Sequence, residues 1–570
     1  MCGIAGIIGG NIKEDVISKM LKTQHHRGPD NTGVFRDEQV LLGHNRLSIL
    51  DLSEKSNQPF KDNSNRYIIT FNGEIYNYIE LKEELKKYNF KTESDTEVLL
   101  AAYIKWGKKC LHKLNGMFSF AIWDKEKKHL FAARDRFGVK PFYYYREKEK
   151  FYFSSEIKAL HASGVKKTPN KKVWASYLTY GSYGHPTETF WENINQLQGG
   201  HYLEYSKNSL NINKWYFFEK EILKYQAKVS FKSVKEKYKS LLEDSIKLRF
   251  RADVKVGFNI SGGLDSSALL AYVNKLNNSK NINAYTFYTN DNRYDELPWV
   301  EEMINYTENP LSKILLKIDD DFYKLIDYIS KIQEEPFGGI PTLAYSKIFD
   351  KARKDNVIVL LDGQGMDEQW AGYDYYLKNN DNTIQGIKSS PFKENVLAED
   401  FKKFASKPVY PKPFKDAILN KQYRDLFYTK IPRALRFNDR VSMAFSTELR
   451  EPFLDYRLVE YAFAQPLDYK IKNDIQKYLL RELVAEDLND SISYAPKRPL
   501  QTPQREWLQN ELFSFVKDSL EKIKKSEYSN WFNIKELEEE LVKYKKGNID
   551  SSFHIWQWVS LGLNIDNYLC

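Results

Sequence analysis

The sequence predicts a mixed fold, an α+β half rich in short strands followed by an α/β half built on a parallel sheet. Three observations carry this expectation. Over residues 254–260, Val254, Val256, Phe258 and Ile260 alternate with Lys255, Gly257 and Asn259. A Ser-Gly-Gly turn follows, and residues 268–273 then read as helix, giving a strand, a glycine turn and a helix N-terminus. Beyond it, apolar strands over 284–289 and 357–361 alternate with helical spacing such as 322–332, the pattern of parallel strands joined by crossover helices. Ahead of it, strands over 117–123, 129–134, 141–145 and 151–154 succeed one another with few helices between. A chain of 570 residues is too long for one core. The two patterns therefore read as domains over 1–205 and 231–570, joined by a polar, irregular linker over 206–230.

Composition removes several classes. The longest aliphatic runs, such as 357–361, fall far short of the roughly 20 residues of a membrane span. No charged-then-apolar signal opens the chain, and the expectation is a soluble, cytoplasmic protein without membrane partners. The net charge of +9 is a small excess of 86 basic over 77 acidic residues, and the lysine runs read as solvated faces, not as a nucleic-acid site. Three cysteines, Cys2, Cys110 and Cys570, are too few for a disulfide framework.

The glycine turn carries chemistry. Backbone N–H groups approach phosphate oxygens closely where no Cβ intervenes, and the helix dipole adds to the attraction. Asp265, at the start of that helix, is useful beside polyphosphate only with a divalent cation between them. The run Ser261-Gly262-Gly263-Leu264-Asp265-Ser266-Ser267 lacks the Gly-Lys-Ser/Thr ending of the ordinary P-loop. It resembles the SGGxDSS pyrophosphate loop of ATP pyrophosphatases, enzymes that release pyrophosphate and leave AMP on an acceptor. The alternative is a plain glycine-rich turn.

At the other end, Cys2 follows the initiating Met1, whose removal would place a thiol and an α-amine on one residue. Such an amine, with a reference pKa of about 7.7–8.0, can act as base for its own thiol. Further on come Arg27-Gly28-Pro29-Asp30, Arg46-Leu47-Ser48-Ile49-Leu50-Asp51, Phe71-Asn72-Gly73-Glu74-Ile75-Tyr76-Asn77 and Ser94-Asp95-Thr96-Glu97. With these motifs, residues 1–205 resemble the class II glutamine amidotransferase domain. The resemblance implies an N-terminal-nucleophile hydrolase sandwich, two antiparallel sheets between helix layers (αββα). It implies Cys2 as nucleophile on the glutamine amide, and the Asn72 side chain and Gly73 N–H as oxyanion donors. It further implies that Arg46 grips the glutamine carboxylate with help from Leu47, Ser48, Ile49 and Leu50, while Glu74 and Asp95 take the α-ammonium. Individually each has a plainer reading: Arg46 a surface cation, Asp95 a helix cap, Asn72-Gly73 a hairpin turn. His25 and His26 lack metal-ligand spacing and read as structural.

In the second half, the loop 362–368, with Glu448-Leu449-Arg450-Glu451-Pro452-Phe453-Leu454-Asp455, Lys477-Tyr478-Leu479-Leu480-Arg481 and the segment from Lys497 to Pro503, resembles the synthetase half of glutamine-hydrolysing asparagine synthetases. That resemblance implies ATP held by Asn259, Ser261, Gly262, Gly263, Asp265, Ser266, Thr289, Asp362 and Gly363. It implies Mg²⁺ between Asp265 and Asp367, and Lys497 stabilising charge as the acyl-adenylate forms. Gln364 would lie in the adenylate-forming loop. An internal ammonia tunnel and a homodimer are also family expectations. The sequence departs from the family at Asn259, Asp362, Gln364 and Met366, and in the glycines after Glu335-Pro336. Gln364 stands where a glutamate is usual, removing a charge that could orient an ammonium. Three readings stay open: amidation of L-aspartate, amidation of another carboxylate such as a uronic acid, and a catalytically silent homologue.

Overall fold

The computed structural model describes residues 2–10, 13–225, 229–277, 281–378, 390–497, 502–547 and 551–569. The first half is a four-layer sandwich. One six-stranded antiparallel sheet runs in the order Ile194–Gln196, Tyr143–Glu147, Lys150–Ser154, Gly3–Ile8, Val40–Arg46, Asn31–Asp37. The second runs Ser209–Lys214, His201–Ser206, His129–Arg134, Gly116–Asp124, Tyr67–Ile75, Phe60–Lys61. Strand alternation explains the packing, since side chains from facing sides of both sheets fill one core in which Ile4, Leu42, Trp123, Ala132, Phe153 and Leu203 meet. Helices Glu14–Thr23 and Ile157–Ala162 cover the outer face of the first sheet, and Asp95–Trp106 covers that of the second. Cys2 therefore enters the core strand Gly3–Ile8 directly, and Asn72-Gly73 lie within the long strand Tyr67–Ile75, not in a hairpin turn.

The expected linker over 206–230 differs from the structure. Residues Ser209–Lys214 form the edge strand of the second sheet, paired along their whole length with His201–Ser206. Its exposed polar alternation, which reads as irregular chain, is that of a strand with one side in water. Trp215, Tyr216 and Phe218 beyond it are buried in a cluster shared with the second half.

The second half centres on five parallel strands in the order Leu311–Leu315, Ala284–Tyr288, Val256–Asn259, Val359–Leu361, Glu448–Arg450. Chain order reverses beside Val256–Asn259. This topological switch opens a crevice at the carboxyl ends of Val256–Asn259 and Val359–Leu361, where such sheets bind ligands. The Ser261–Gly263 turn and the Asp362–Gly363 loop both emerge there, and helix Leu264–Asn277 starts from it. Among the described residues no helix is long and apolar enough to cross a membrane.

Buried charges join the halves. Arg27 donates from Nε to the Cys2 carbonyl (3.0 Å), from Nη1 and Nη2 to both Asp439 oxygens (2.9 and 3.1 Å), and from Nη1 to Glu156 (3.0 Å). Arg440 pairs with Glu334 at 2.8 Å, and Glu334 in turn accepts from the Ile157 and Lys158 amides (2.9 and 2.7 Å). Arg27, Glu156 and Arg440 are almost wholly buried, so each charge depends on its neighbours for compensation. Removing one partner from such a cluster costs about 3–5 kcal/mol, and Arg27→Met is expected to lower the unfolding temperature sharply. Differential scanning calorimetry of the variant beside the parent checks this, and an unchanged midpoint would show the cluster to be dispensable.

Candidate functional sites

The first site surrounds Cys2. Its backbone nitrogen donates to Asn72 Oδ1 at 3.0 Å, and its Sγ lies 3.9 Å from the Leu47 carbonyl. Burial pushes the thiol pKa up. Asn72 is fully buried, and its Nδ2 has no hydrogen-bond partner among the described residues. A buried amide donor left open 70 residues from the thiol in sequence, but beside it in space, is a costly arrangement unless a ligand oxygen takes it. Gly73 has φ +154°, and a Cβ there would come within 2.1 Å of the Met117 carbonyl, so the two sheet strands can approach only over glycine. Asp95 accepts from the Ile75 amide at 2.8 Å, and burial raises its pKa to about 6. Glu74 is also buried, its pKa raised by desolvation, and it lies 3.4 Å from Arg450 of the second half. Leu47, Ile49 and Leu50 are buried, and the Ser48 amide donates to Asp30 at 2.7 Å.

Arg46 differs from the expectation of a two-pronged grip on a substrate. Its Nη1 donates to the Ser53 carbonyl and Asn57 Oδ1 (2.7 and 2.9 Å), and its Nη2 to the Leu50 and Asp51 carbonyls. Both prongs are thus committed to the loop that follows it, because Asp51 at positive φ turns the chain back over the guanidinium. A substrate carboxylate would have to exchange for some of these bonds.

The second site lies at the crevice. Ser266 Oγ closes the glycine turn, contacting Ser261 Oγ at 3.1 Å and donating to the Ser261 and Gly263 carbonyls (2.9 and 3.1 Å). The Gly262 amide donates to a carboxylate oxygen of Glu296 at 2.9 Å, so an anion already sits at the turn. Asn259 and Asp362 are buried at its base, with Asp362 accepting from the Gly363 amide (2.6 Å) and Tyr345 OH (3.3 Å). Burial lifts the Asp362 pKa to about 6. Thr289 is held by Asp295, whose Oδ1 accepts from its amide and hydroxyl (2.5 and 2.8 Å). Thr286 and Phe287 line the small cavity beside Asn259 and Ser261, and Thr289 does not.

Asp265 and Asp367 come together around one ammonium, that of Lys477, a residue to which the sequence assigns no role. Lys477 Nζ lies 2.7 Å from both Asp265 oxygens and 2.6 Å from Asp367, while Lys497 reaches Asp367 at 2.5 Å. Burial opposes ionisation of Asp367, but the two ammoniums hold its carboxyl well below the usual range. At Asp265 desolvation wins, and the pKa is raised. Lys477 takes positive φ to aim its side chain, and Gly372 makes room for it: a Cβ on Gly372 would lie 2.0 Å from Asp367 Oδ1 and 2.2 Å from Lys477 Cε. Tyr373 follows, its hydroxyl donating to Glu368 at 2.7 Å, with Lys497 over its ring at 4.6 Å. Burial raises the Glu368 pKa to about 8. Gln364 is half-buried on the same loop. The residues directly after Lys497 in its motif, 498–501, lie outside the described residues. No group of three or more His, Cys, Asp or Glu suited to a metal occurs among the described residues. Two carboxylates around one ammonium nonetheless suit a cation that takes its remaining ligands from a polyphosphate.

A thiol site on an αββα sandwich and an anion site at the switch point of a parallel sheet define a two-domain glutamine-dependent amidotransferase. Residues 1–216 match the glutamine amidotransferase domain family, and residues 237–566 match the asparagine synthase family. Asparagine synthetase [glutamine-hydrolyzing] 3 of Bacillus subtilis (strain 168) is 31% identical over 546 residues, 88% of this chain and 86% of its own. Asparagine synthetase [glutamine-hydrolyzing] 1 of the same strain is 29% identical over 621 aligned positions, covering 98% and 95%. A relative from Methanocaldococcus jannaschii is 38% identical over 398 residues, 65% of this chain and 76% of its own. The chain belongs to the asparagine synthase family, and it is a carbon–nitrogen ligase with glutamine as amido donor.

Gly372→Ala would displace the Asp265–Lys477–Asp367 bridge by more than an ångström, and misplacement of that size costs about 100-fold in rate. ATP-dependent amide formation is expected to fall by that factor while glutamine hydrolysis persists, read by paired pyrophosphate and glutamate assays. Equal loss of both would show that the change unfolds the chain.

Proposed function

We propose that the chain amidates a carboxylate through an acyl-adenylate, with ammonia released from glutamine at Cys2. The observation that carries the reading is the convergence of Asp265, Asp367, Lys477 and Lys497 on the crevice into which the glycine turn opens. In this reading Asp265 and Asp367 would hold Mg²⁺, which would supply charge to neutralise the triphosphate, with the Lys477 ammonium beside it. The turn amides of Gly262 and Gly263 receive phosphate oxygens once Glu296 withdraws, and Ser261, Ser266, Asp362 and Gly363 shape the same wall. An acceptor carboxylate oxygen attacks the α-phosphorus of ATP and pyrophosphate leaves. Ammonia then attacks the acyl carbon, AMP departs and the surplus proton is lost to water. Lys497 faces the charge that develops at the phosphate.

At the other site Cys2 Sγ attacks the glutamine amide carbon and the negative charge passes to the amide oxygen; the C–N bond then breaks, ammonia leaves with the proton taken from the thiol, and water hydrolyses the thioester to free glutamate and the thiol. Asn72 Nδ2 is the donor available to receive that negative charge, with the Gly73 N–H beside it. Loss of one such donor costs about 3 kcal/mol. Asp95 and Glu74 receive the α-ammonium, and the 46–50 segment the carboxylate. The amine of Cys2, exposed if Met1 is removed, serves as base for the raised thiol.

L-Aspartate is the first acceptor, supported by the names of the relatives. A uronic acid is the second, supported by the neutral Gln364 and by the large basic cavity described below. Pyrophosphate release from ATP and Mg²⁺ with glutamine, compared across L-aspartate and a panel of uronic acids, tests both. Response to aspartate with asparagine formed establishes the first, and response only to a uronate the second. Silence toward every carboxylate rejects the amidation reading.

Asp95 also sets a pH limit. Its folded-state pKa of about 6 lies above the usual carboxylate value, so the ionised form that binds an ammonium is lost as pH falls through 6, not through 4. kcat/KM for glutamine is expected to fall below pH 6 in the parent. Asp95→Asn should flatten that acid limb at a low rate, and an unshifted limb would remove Asp95 from glutamine binding.

A further inference from the structure

A third concavity lies apart from both of these sites. It measures about 910 Å³ and lies where the two halves meet, between the chain after helix Lys171–Tyr180, the segment around Phe392, and the start of helix Lys430–Ala444. Gly181, at φ +66°, allows the Phe392 ring to close one side, since a Cβ there would stand 2.1 Å from it. Eight lysines and arginines line the cavity against one carboxylate, Glu188, which is itself paired with Lys172 at 2.6 Å. Tyr183, Tyr410 and Tyr428 add aromatic surface.

Three of the eight are held by the fold, Arg424 by Asp425 (3.0 Å), Arg436 by Glu335 (2.9 Å) and Lys421 by the Tyr375 carbonyl (3.1 Å). Arg433 has no carboxylate or hydrogen-bond acceptor among the described residues and contacts the Tyr183 ring at 5.7 Å. Lys412 and Lys415 are exposed. Lys430 is packed over the rings of Tyr373 and Tyr375 at 5.0 and 5.4 Å, and burial lowers its pKa to about 8. A cluster of like charges in one concavity raises the free energy of the empty protein and is relieved by an anion.

Lys430 also connects the cavity to the second site. It and Lys497 both stand within 5.0 Å of the centroid of the Tyr373 ring, and Lys497 bonds Asp367. Cavities of several hundred cubic ångströms hold ligands of tens of atoms, many times the size of free aspartate. Tyrosine rings beside cations suit a skeleton with apolar faces and several anionic groups.

We propose that this cavity binds the non-reacting part of the acceptor, an anionic saccharide that carries its reacting carboxylate toward Lys497 past Tyr373 and has at least one further negative group held by Lys430, Arg433 and Lys412. The inference rests on the uronate reading of the acceptor above. Its further charge has two sources, a second uronate in an oligosaccharide or the diphosphate of a sugar nucleotide.

The test is titration calorimetry of the full-length protein with digalacturonate, with UDP-galacturonate, and with UDP and cellobiose as controls. Binding of either acidic saccharide, absent for cellobiose and weakened about tenfold or more by both Arg433→Glu and Lys412→Glu, is the expected result, with unfolding temperatures as the folding check. Preference for digalacturonate identifies the oligosaccharide source; preference for UDP-galacturonate over both digalacturonate and UDP identifies the nucleotide-linked one. No binding of either, or binding that both substitutions leave unchanged, overturns the site. The pyrophosphate assay separates this from the reading beneath it. Aspartate-dependent release without saccharide binding removes the cavity's role alone, whereas no release with any carboxylate removes the amidation reading.

Discussion

The guanidinium of Arg27 is the interaction on which the two halves depend. One of its nitrogens holds the carbonyl of Cys2, and the others hold Asp439 and Glu156, so the thiol's own backbone is fixed to a helix of the opposite domain. Such a buried fork is stable only while all its acceptors are in place. Around it Arg440, Glu334 and Lys158 extend the same alternation of charge, and Ser446 donates to the His26 carbonyl. The halves are therefore held by bonds with fixed direction, and little sliding between them is compatible with satisfied charges.

The glutamine-side loop shares this dependence. The Asp51 amide donates to Asp253 (2.8 Å), the Asp253 amide donates to the Ile49 carbonyl (2.9 Å), and Leu47 and Ile49 pack on Val359 and Met443. Strand Val359–Leu361 ends in the Asp362–Gly363 loop, so the loop beside Cys2 leans on the same strand that presents the crevice. Glu74, Arg450 and Glu448 form a second buried chain of charges across the boundary. The two sites thus share one strand and the contacts that rest on it.

Both sites are preorganised by burial, and the charges within them show its cost. Burial raises the pKa of Asp95, Asp362 and Glu368, while two lysines keep Asp367 ionised. At Asp265 the single ammonium of Lys477 does not outweigh desolvation, and the pKa is raised there too.

The sequence by itself determined the chemistry-bearing segments, because each rests on local rules: a strand running into a glycine turn and helix, a cysteine at position two, and alternating periods of 2 and 3.6 that separated a strand-rich half from a strand–helix half. Tertiary structure decided what those side chains do with their bonds. Arg46 spends both prongs on its own loop, and Lys477 enters between two aspartates over Gly372, from contacts between residues distant in sequence or from the sense of a single dihedral. The strand Ser209–Lys214 was harder to read because only Leu210 and Ile212 mark its alternation, too short a pattern to separate from a polar loop. The basic cavity is not legible in the sequence although its lysines and arginines all fall within residues 407–436, because a basic stretch reads as a solvated face until the first half, through residues 179–196, supplies the opposite wall.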